Sequence, residues 1–130
     1  MKDITTKLDI ELLLQAFYEK AINDELIGHY FTDVIELQLE KHLPIIVGFW
    51  ESILLNTQQY NGNMFSIHQH IHHLSPFKPL HFDRWVFLFQ QTVSEMYKGN
   101  TSELAKQRAA SIATIMKTKL IYHSSNSLNI

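Results

Sequence analysis

Apolar residues recur at three- and four-residue steps along most of the chain, and no stretch alternates in the two-residue rhythm of a half-buried strand. Ile10, Leu13, Leu14, Phe17, Tyr18, Ala21 and Ile22 trace one face of an amphipathic helix from Asp9 to Asn23. Asp9 suits its N-cap, and residues 1–8, beyond a short leading turn, are expected to fray. Asn23 and Asp24 interrupt the pattern, and Gly28 within ELIGHYF marks a turn or short helix that returns Phe31 toward the core. A helix is next expected from Gln38 to Asn56, with Leu39, His42, Leu43, Ile46, Phe49, Trp50, Ile53 and Leu54 on its face. Pro44 moves its expected start toward His42 or Leu43, because a missing N–H breaks no intrahelical bond only in the first turn.

Asn61-Gly62 is a strong turn signal, and Met64, Phe65, Ile67, His68 and Ile71 then fit a short helix stopped near His73 or Leu74 by Ser75-Pro76. Pro79 opens another helix, lined by Phe82, Trp85, Val86, Phe89, Val93 and Met96, that ends at Gly99-Asn100. A last helix starts at Thr101 and runs through Leu104, Arg108, Ile112, Ile115 and Leu120, with Glu103 supporting its first turn; residues 124–130 are expected to fray. The fold class is all-α.

The 130 residues are enough for one domain, spanning 1–130, with a sizeable apolar core and no need of a disulfide or structural metal. The chain has no cysteine, so any metal it holds must be taken by imidazole or oxygen. A formal net charge of −2 supplies no basic stripe for nucleic acid and no polybasic membrane anchor. The apolar run Leu43–Trp50 is too short to span a bilayer, and MKDITTKLD lacks the apolar core of a signal peptide, so a soluble cytoplasmic protein without membrane partners is expected.

The candidate chemistry lies in residues 68–85, HQHIHHLSPFKPLHFDRW, which hold five of the eight histidines. His68 and His72 stand one helical turn apart, as do His70 and His73, so the cluster could present imidazole pairs to zinc or another divalent ion. No HExxH is present, and the nearest acid, Asp83, lies past two prolines, so the metal signal is weak and His70, His72 and His73 read instead as the wet face of a short helix. His68 shares a face with Phe65 and Ile71. An imidazole there is either a core histidine hydrogen-bonded to backbone or an axial ligand to a flat apolar cofactor. Three further polar-tipped side chains sit on apolar faces of other helices: Tyr18 beside Phe17, His42 ahead of Ile46 and Phe49, and Trp85 between Phe82 and Phe89. Each can donate a hydrogen bond into an otherwise dry pocket.

The segments FYEKAINDELIGHYF (17–31), HLPIIVGFWESILL (42–55), YNGNMFSIH (60–68) and PLHFDRWVFLF (79–89), in that order and spacing, make the chain similar to the group III truncated haemoglobins. The glycine-glycine motifs of the other two truncated groups are absent: Gly28, Gly48, Gly62 and Gly99 are isolated. The resemblance implies a shortened globin fold around haem b, with His68, eight residues after Tyr60, as the metal ligand. It implies Tyr18, His42 and Trp85 as the residues facing the gas, and Phe31, Ile46, Phe49, Trp50, Phe65, Ile71, Phe82 and Phe89 as contacts to the cofactor. The implied ligand is a diatomic gas: dioxygen, carbon monoxide or nitric oxide.

A polar wall around the gas favours chemistry over delivery, because tight retention opposes release. Nitric oxide dioxygenation or a peroxide-linked redox reaction fits, and since no flavin or nicotinamide motif occurs, either would need a separate reductase. Two readings compete: a small helical divalent-metal-binding protein using the His68–His73 cluster, and a cofactor-free helical interaction domain whose aromatics are only core.

Overall fold

Thr6, rather than Asp9, begins the first helix. In the computed structural model, which describes residues 1–34, 39–57 and 64–123, α1 (Lys7–Ile22) opens with Thr6 accepting from the Asp9 amide while the Asp9 carboxylate accepts from the Thr6 amide. This reciprocal pair satisfies two of the N–H groups that a helix start leaves orphaned. The same carboxylate takes the Thr5 amide at 2.9 Å and the Lys2 ammonium at 2.7 Å. Burial by itself would raise the Asp9 pKa, but these donors hold it well below the ordinary carboxylate range.

Residues 1–8, expected to fray, are pinned instead. Ile4 is 1 % exposed, and the Lys2 carbonyl accepts from the Lys98 amide. Asp3 reaches the start of α5 (Asn100–Lys117), where its carboxylate accepts from the Thr101 and Ser102 amides at 2.9 and 2.8 Å. The N-cap residue of α5 is Gly99, which has no side chain, so Asp3 supplies the cap from the other end of the sequence. Gly99 sits at φ 146°, and a Cβ there would lie 2.5 Å from the Asp3 carboxyl carbon, so both backbone and neighbour require glycine.

After α1 the chain turns back sharply. A Cβ on Gly28 would stand 2.5 Å from the Ile22 carbonyl oxygen. Asp24 fixes this turn by accepting from the Leu26 and Ile27 amides and pairing with Arg84, 2.8 Å away on α4 (Pro79–Met96). A short π-helical turn, Tyr30–Val34, follows. The next helix, α2 (Leu39–Leu54), begins before its expected start and keeps Pro44 inside. Pro44 therefore leaves the fourth carbonyl before it without its usual helical N–H. Helix α3 keeps its expected limits, Met64–Leu74, and Pro79 stands at the first position of α4, which ends at Met96, before the expected stop at Gly99-Asn100. A π-helical turn, Thr118–His123, follows α5. Among the described residues there is no strand, and no helix is long and apolar enough to cross a membrane.

The core centres on Phe89, which is 0 % exposed. Trp50 stacks on it at 4.7 Å, Trp85 stacks at 5.7 Å, and Phe17 meets its ring edge at 5.4 Å, bringing α1, α2 and α4 together. The buried stripe of α5 differs from the expected one. Ala105, Ala109, Ala113 and Met116 are buried, as is Leu120 in the turn beyond, whereas Arg108 and Ile115 are exposed. Alanines at four-residue steps let α4 approach the α5 backbone closely, and these two helices form the most extensive packed pair.

Candidate functional site

All five helices line a cavity of about 340 Å³, a size suited to a small-molecule or cofactor ligand. Its wall is mostly apolar. Phe31, Ile46, Phe49, Trp50, Ile71 and Phe82 all face it, together with Tyr18, His42, His68 and Trp85. The structure thus gathers onto one surface residues that lie far apart in sequence.

Tyr18 projects from α1 with its ring against the edges of Phe17 and Phe31, at centroid distances of 5.1 and 5.8 Å. One side of the ring opens on the cavity, yet burial pushes its hydroxyl pKa far upward, so the O–H remains a donor across the physiological range. Trp85 reaches the same cavity from α4, braced by the Phe17 edge at 6.0 Å and the Phe89 face. Neither the Tyr18 hydroxyl nor the Trp85 indole N–H has a hydrogen-bond partner among the described residues. Two unused donors on an apolar wall fit a bound group that brings its own acceptor. His42 lies exposed on α2 where that helix borders the cavity, and His68 is half-buried on α3.

Phe89 does not line the cavity. The four-residue step from Trp85 places it one turn deeper on the same face of α4, where it supports the Trp50 and Trp85 rings from behind. The Phe65 side chain lies outside the described residues. His70 and His73 are exposed, and His72 turns its Nδ1 to the Phe77 amide at 2.8 Å. Among the described residues no three His, Asp or Glu side chains converge as a metal site would require, so the 68–73 cluster does not assemble one.

Several wall residues escape sequence reasoning. Ile112, Ala113 and Met116 come from α5, whose cavity face mixes with polar positions and gives no aromatic cue. Tyr30 comes from the π-helical turn after α1, Phe77 from the turn between α3 and α4, and His81 from the first turn of α4. The Tyr30 hydroxyl donates to the Pro76 carbonyl at 2.9 Å and lies 3.1 Å from His81 Nδ1, which accepts from the Lys78 amide at 2.9 Å. His-Tyr pairing of this kind has no fixed sequence spacing.

No family model matches the chain. The group 3 truncated hemoglobin ctb of Campylobacter jejuni subsp. jejuni is 30% identical over 114 residues, which cover 85% of this chain and 87% of the relative. The crystal structure of the group III truncated hemoglobin from Campylobacter jejuni superposes with a TM-score of 0.80 at 27% identity, covering 95% of this chain and 98% of that one. The agreement runs through nearly the full length of both molecules and includes every helix that builds the cavity. The chain belongs to the group III truncated haemoglobins and is a globin-type haem protein.

Proposed function

We propose that the chain, acting as one domain over residues 1–130, holds haem b through His68 and receives dioxygen, carbon monoxide or nitric oxide in the part of the cavity faced by Tyr18, His42 and Trp85. The observation that carries this reading is the pair of unpartnered donors, Tyr18 O–H and Trp85 N–H, on the wall of an apolar cavity that also takes in His68. When bound, haem supplies an iron centre with one coordination position for a diatomic gas.

The protein supplies the rest. A neutral His68 imidazole offers one ring nitrogen to iron and keeps an N–H on the other to fix its orientation. Phe31, Ile46, Phe49, Trp50, Ile71 and Phe82 give a flat apolar group its packing surface and exclude water. Tyr18 and Trp85 donate toward the partial negative charge of a polarised gas, at about 0.5–1.5 kcal/mol per hydrogen bond. Such a wall retains its ligand, which suits nitric oxide dioxygenation or a peroxide-linked reaction better than delivery. Electrons for that turnover come from a separate reductase.

The test is an ultraviolet–visible spectrum of the haem-supplied protein, recorded oxidised, reduced, and reduced under carbon monoxide. A Soret band that shifts with carbon monoxide supports the reading, and no Soret band after haem titration rejects it.

A further inference from the structure

The turn joining α3 to α4 makes little structure from its own backbone. Three polar groups of two adjacent peptide bonds are satisfied by side chains: the Pro76 carbonyl accepts from Tyr30, the Phe77 amide donates to His72 Nδ1, and the Lys78 amide donates to His81 Nδ1. Aromatic contacts reinforce the same joint. His72 stacks on Phe77 at 5.7 Å, and Tyr30 lies against Phe77 at 4.7 Å and His81 at 5.2 Å.

A backbone N–H points in a direction that the peptide plane fixes. Both Nδ1 atoms must therefore present a bare lone pair, which places the proton of each neutral ring on Nε2. Burial lowers the pKa of His72, and burial together with the neighbouring charges of His29 and Lys78 lowers that of His81, so both rings stay neutral near pH 7.

Helix α3 depends on this joint. Of its residues from Ser66 to Leu74, Ile71 alone is buried, and the helix packs most extensively, among the described elements, on the Tyr30–Val34 turn. Tyr30 itself donates to the Pro76 carbonyl and packs edge-on against the His81 ring. We infer that His72 and His81 are positioning residues for His68: by accepting from the Phe77 and Lys78 amides they lock the α3–α4 turn, and so fix the helix that carries His68 against the cavity. This inference rests on the reading of His68 as the haem ligand, and it adds an outer layer of orientation that such ligands depend on.

Two measurements on the full chain test it. Imidazole nitrogen NMR of the reduced, carbon-monoxide-saturated protein, which is diamagnetic, should show Nδ1 of both rings unprotonated and Nε2 protonated. A protonated Nδ1 on either ring overturns the inference without need of a variant. The second measurement compares wild type with the His72→Leu/His81→Leu and His72→Asn/His81→Asn double variants. Asparagine places a carbonyl oxygen near the former Nδ1 position. Leucine should speed amide exchange at Phe77 and Lys78 by about two- to tenfold per lost bond, hasten haem loss and shift the iron–histidine stretching band, and asparagine should reverse all three. Unchanged exchange in the leucine variant, or no rescue by asparagine, overturns the inference. Altered amide exchange in a protein that takes up no haem would instead reject the His68 assignment and, with it, the positioning role.

Discussion

Asp3 and Ser102, 99 residues apart in sequence, are joined by two hydrogen bonds: the Asp3 carboxylate accepts from the Ser102 amide at 2.8 Å and from its hydroxyl at 2.6 Å. A helix cap is thereby a tertiary contact. Asp3→Ala should destabilise the protein by about 0.5–2 kcal/mol, the usual cost of losing an N-cap, seen as a lower denaturant midpoint. Burial would raise the Asp3 pKa, but the hydrogen bonds from Ser102 and Thr101 lower it from 3.8 to about 2. A depressed carboxylate stabilises the fold fully above its unfolded value and loses that contribution as pH falls from 3.8 toward 2. The difference in midpoint between wild type and Asp3→Ala should therefore shrink across that interval. A difference that persists at its lower end would show that the carboxylate is not the source.

Gly99→Ala tests the same joint from the other side. The substitution meets a left-handed φ and the Asp3 carboxyl group at once, so it should cost more than the roughly 0.4–1 kcal/mol that such glycine changes gain where they fit. In combination with Asp3→Ala the two losses should not add, because removing the carboxylate relieves the collision. Additive losses in a double-mutant cycle would separate the two residues.

The helices were legible wherever an apolar face coincided with strong punctuation. Pro79 at the start of α4, and Ser75-Pro76 just past the end of α3, are local signals with local causes. Long-range contacts were not legible. Nothing near Asp3 announces that it caps a helix starting at residue 100, so its segment reads as a tail. The large residues of α5 suggest one stripe, whereas the helix buries its alanines to admit α4. Tyr18, His42, His68 and Trp85 stood out as polar tips on apolar faces, and the structure brings all four to one cavity. Phe89 carried the same signal as Phe82, and only packing distinguishes a wall from the core behind it.

Phe89→Ala should be among the most damaging core substitutions, at about 3–5 kcal/mol for a buried phenylalanine. It removes the ring against which Trp50 and Trp85 both stack, so it should also loosen two cavity walls. Phe89→Leu, which keeps most of the volume, should cost less and retain both tryptophans. Equal losses in thermal midpoint for the two variants would argue against this packing role.

Tyr18→Phe keeps the ring contacts with Phe17 and Phe31 and deletes only the hydroxyl. If that hydroxyl holds the gas, dioxygen release from the reduced protein should accelerate by about two- to tenfold, the equivalent of one neutral hydrogen bond. Carbon monoxide, which carries less negative charge when bound, should respond less. Unchanged release of both gases by stopped-flow spectroscopy would remove Tyr18 from the role.

His68→Ala separates the two readings of that imidazole. A haem ligand should be needed for retention of the cofactor and for its spectrum, whereas a core histidine should matter to stability alone. The variant is expected to lose haem rapidly to an excess of a haem-scavenging protein. Added imidazole should partly restore the reduced spectrum by occupying the space the ring vacates. His70→Ala and His73→Ala, at exposed positions on the same helix, should leave retention unchanged. A His68→Ala protein that keeps a full complement of five-coordinate haem would show that another residue binds the iron. His72 would be an unsuitable substitute without rearrangement, because its Nδ1 already holds the Phe77 amide.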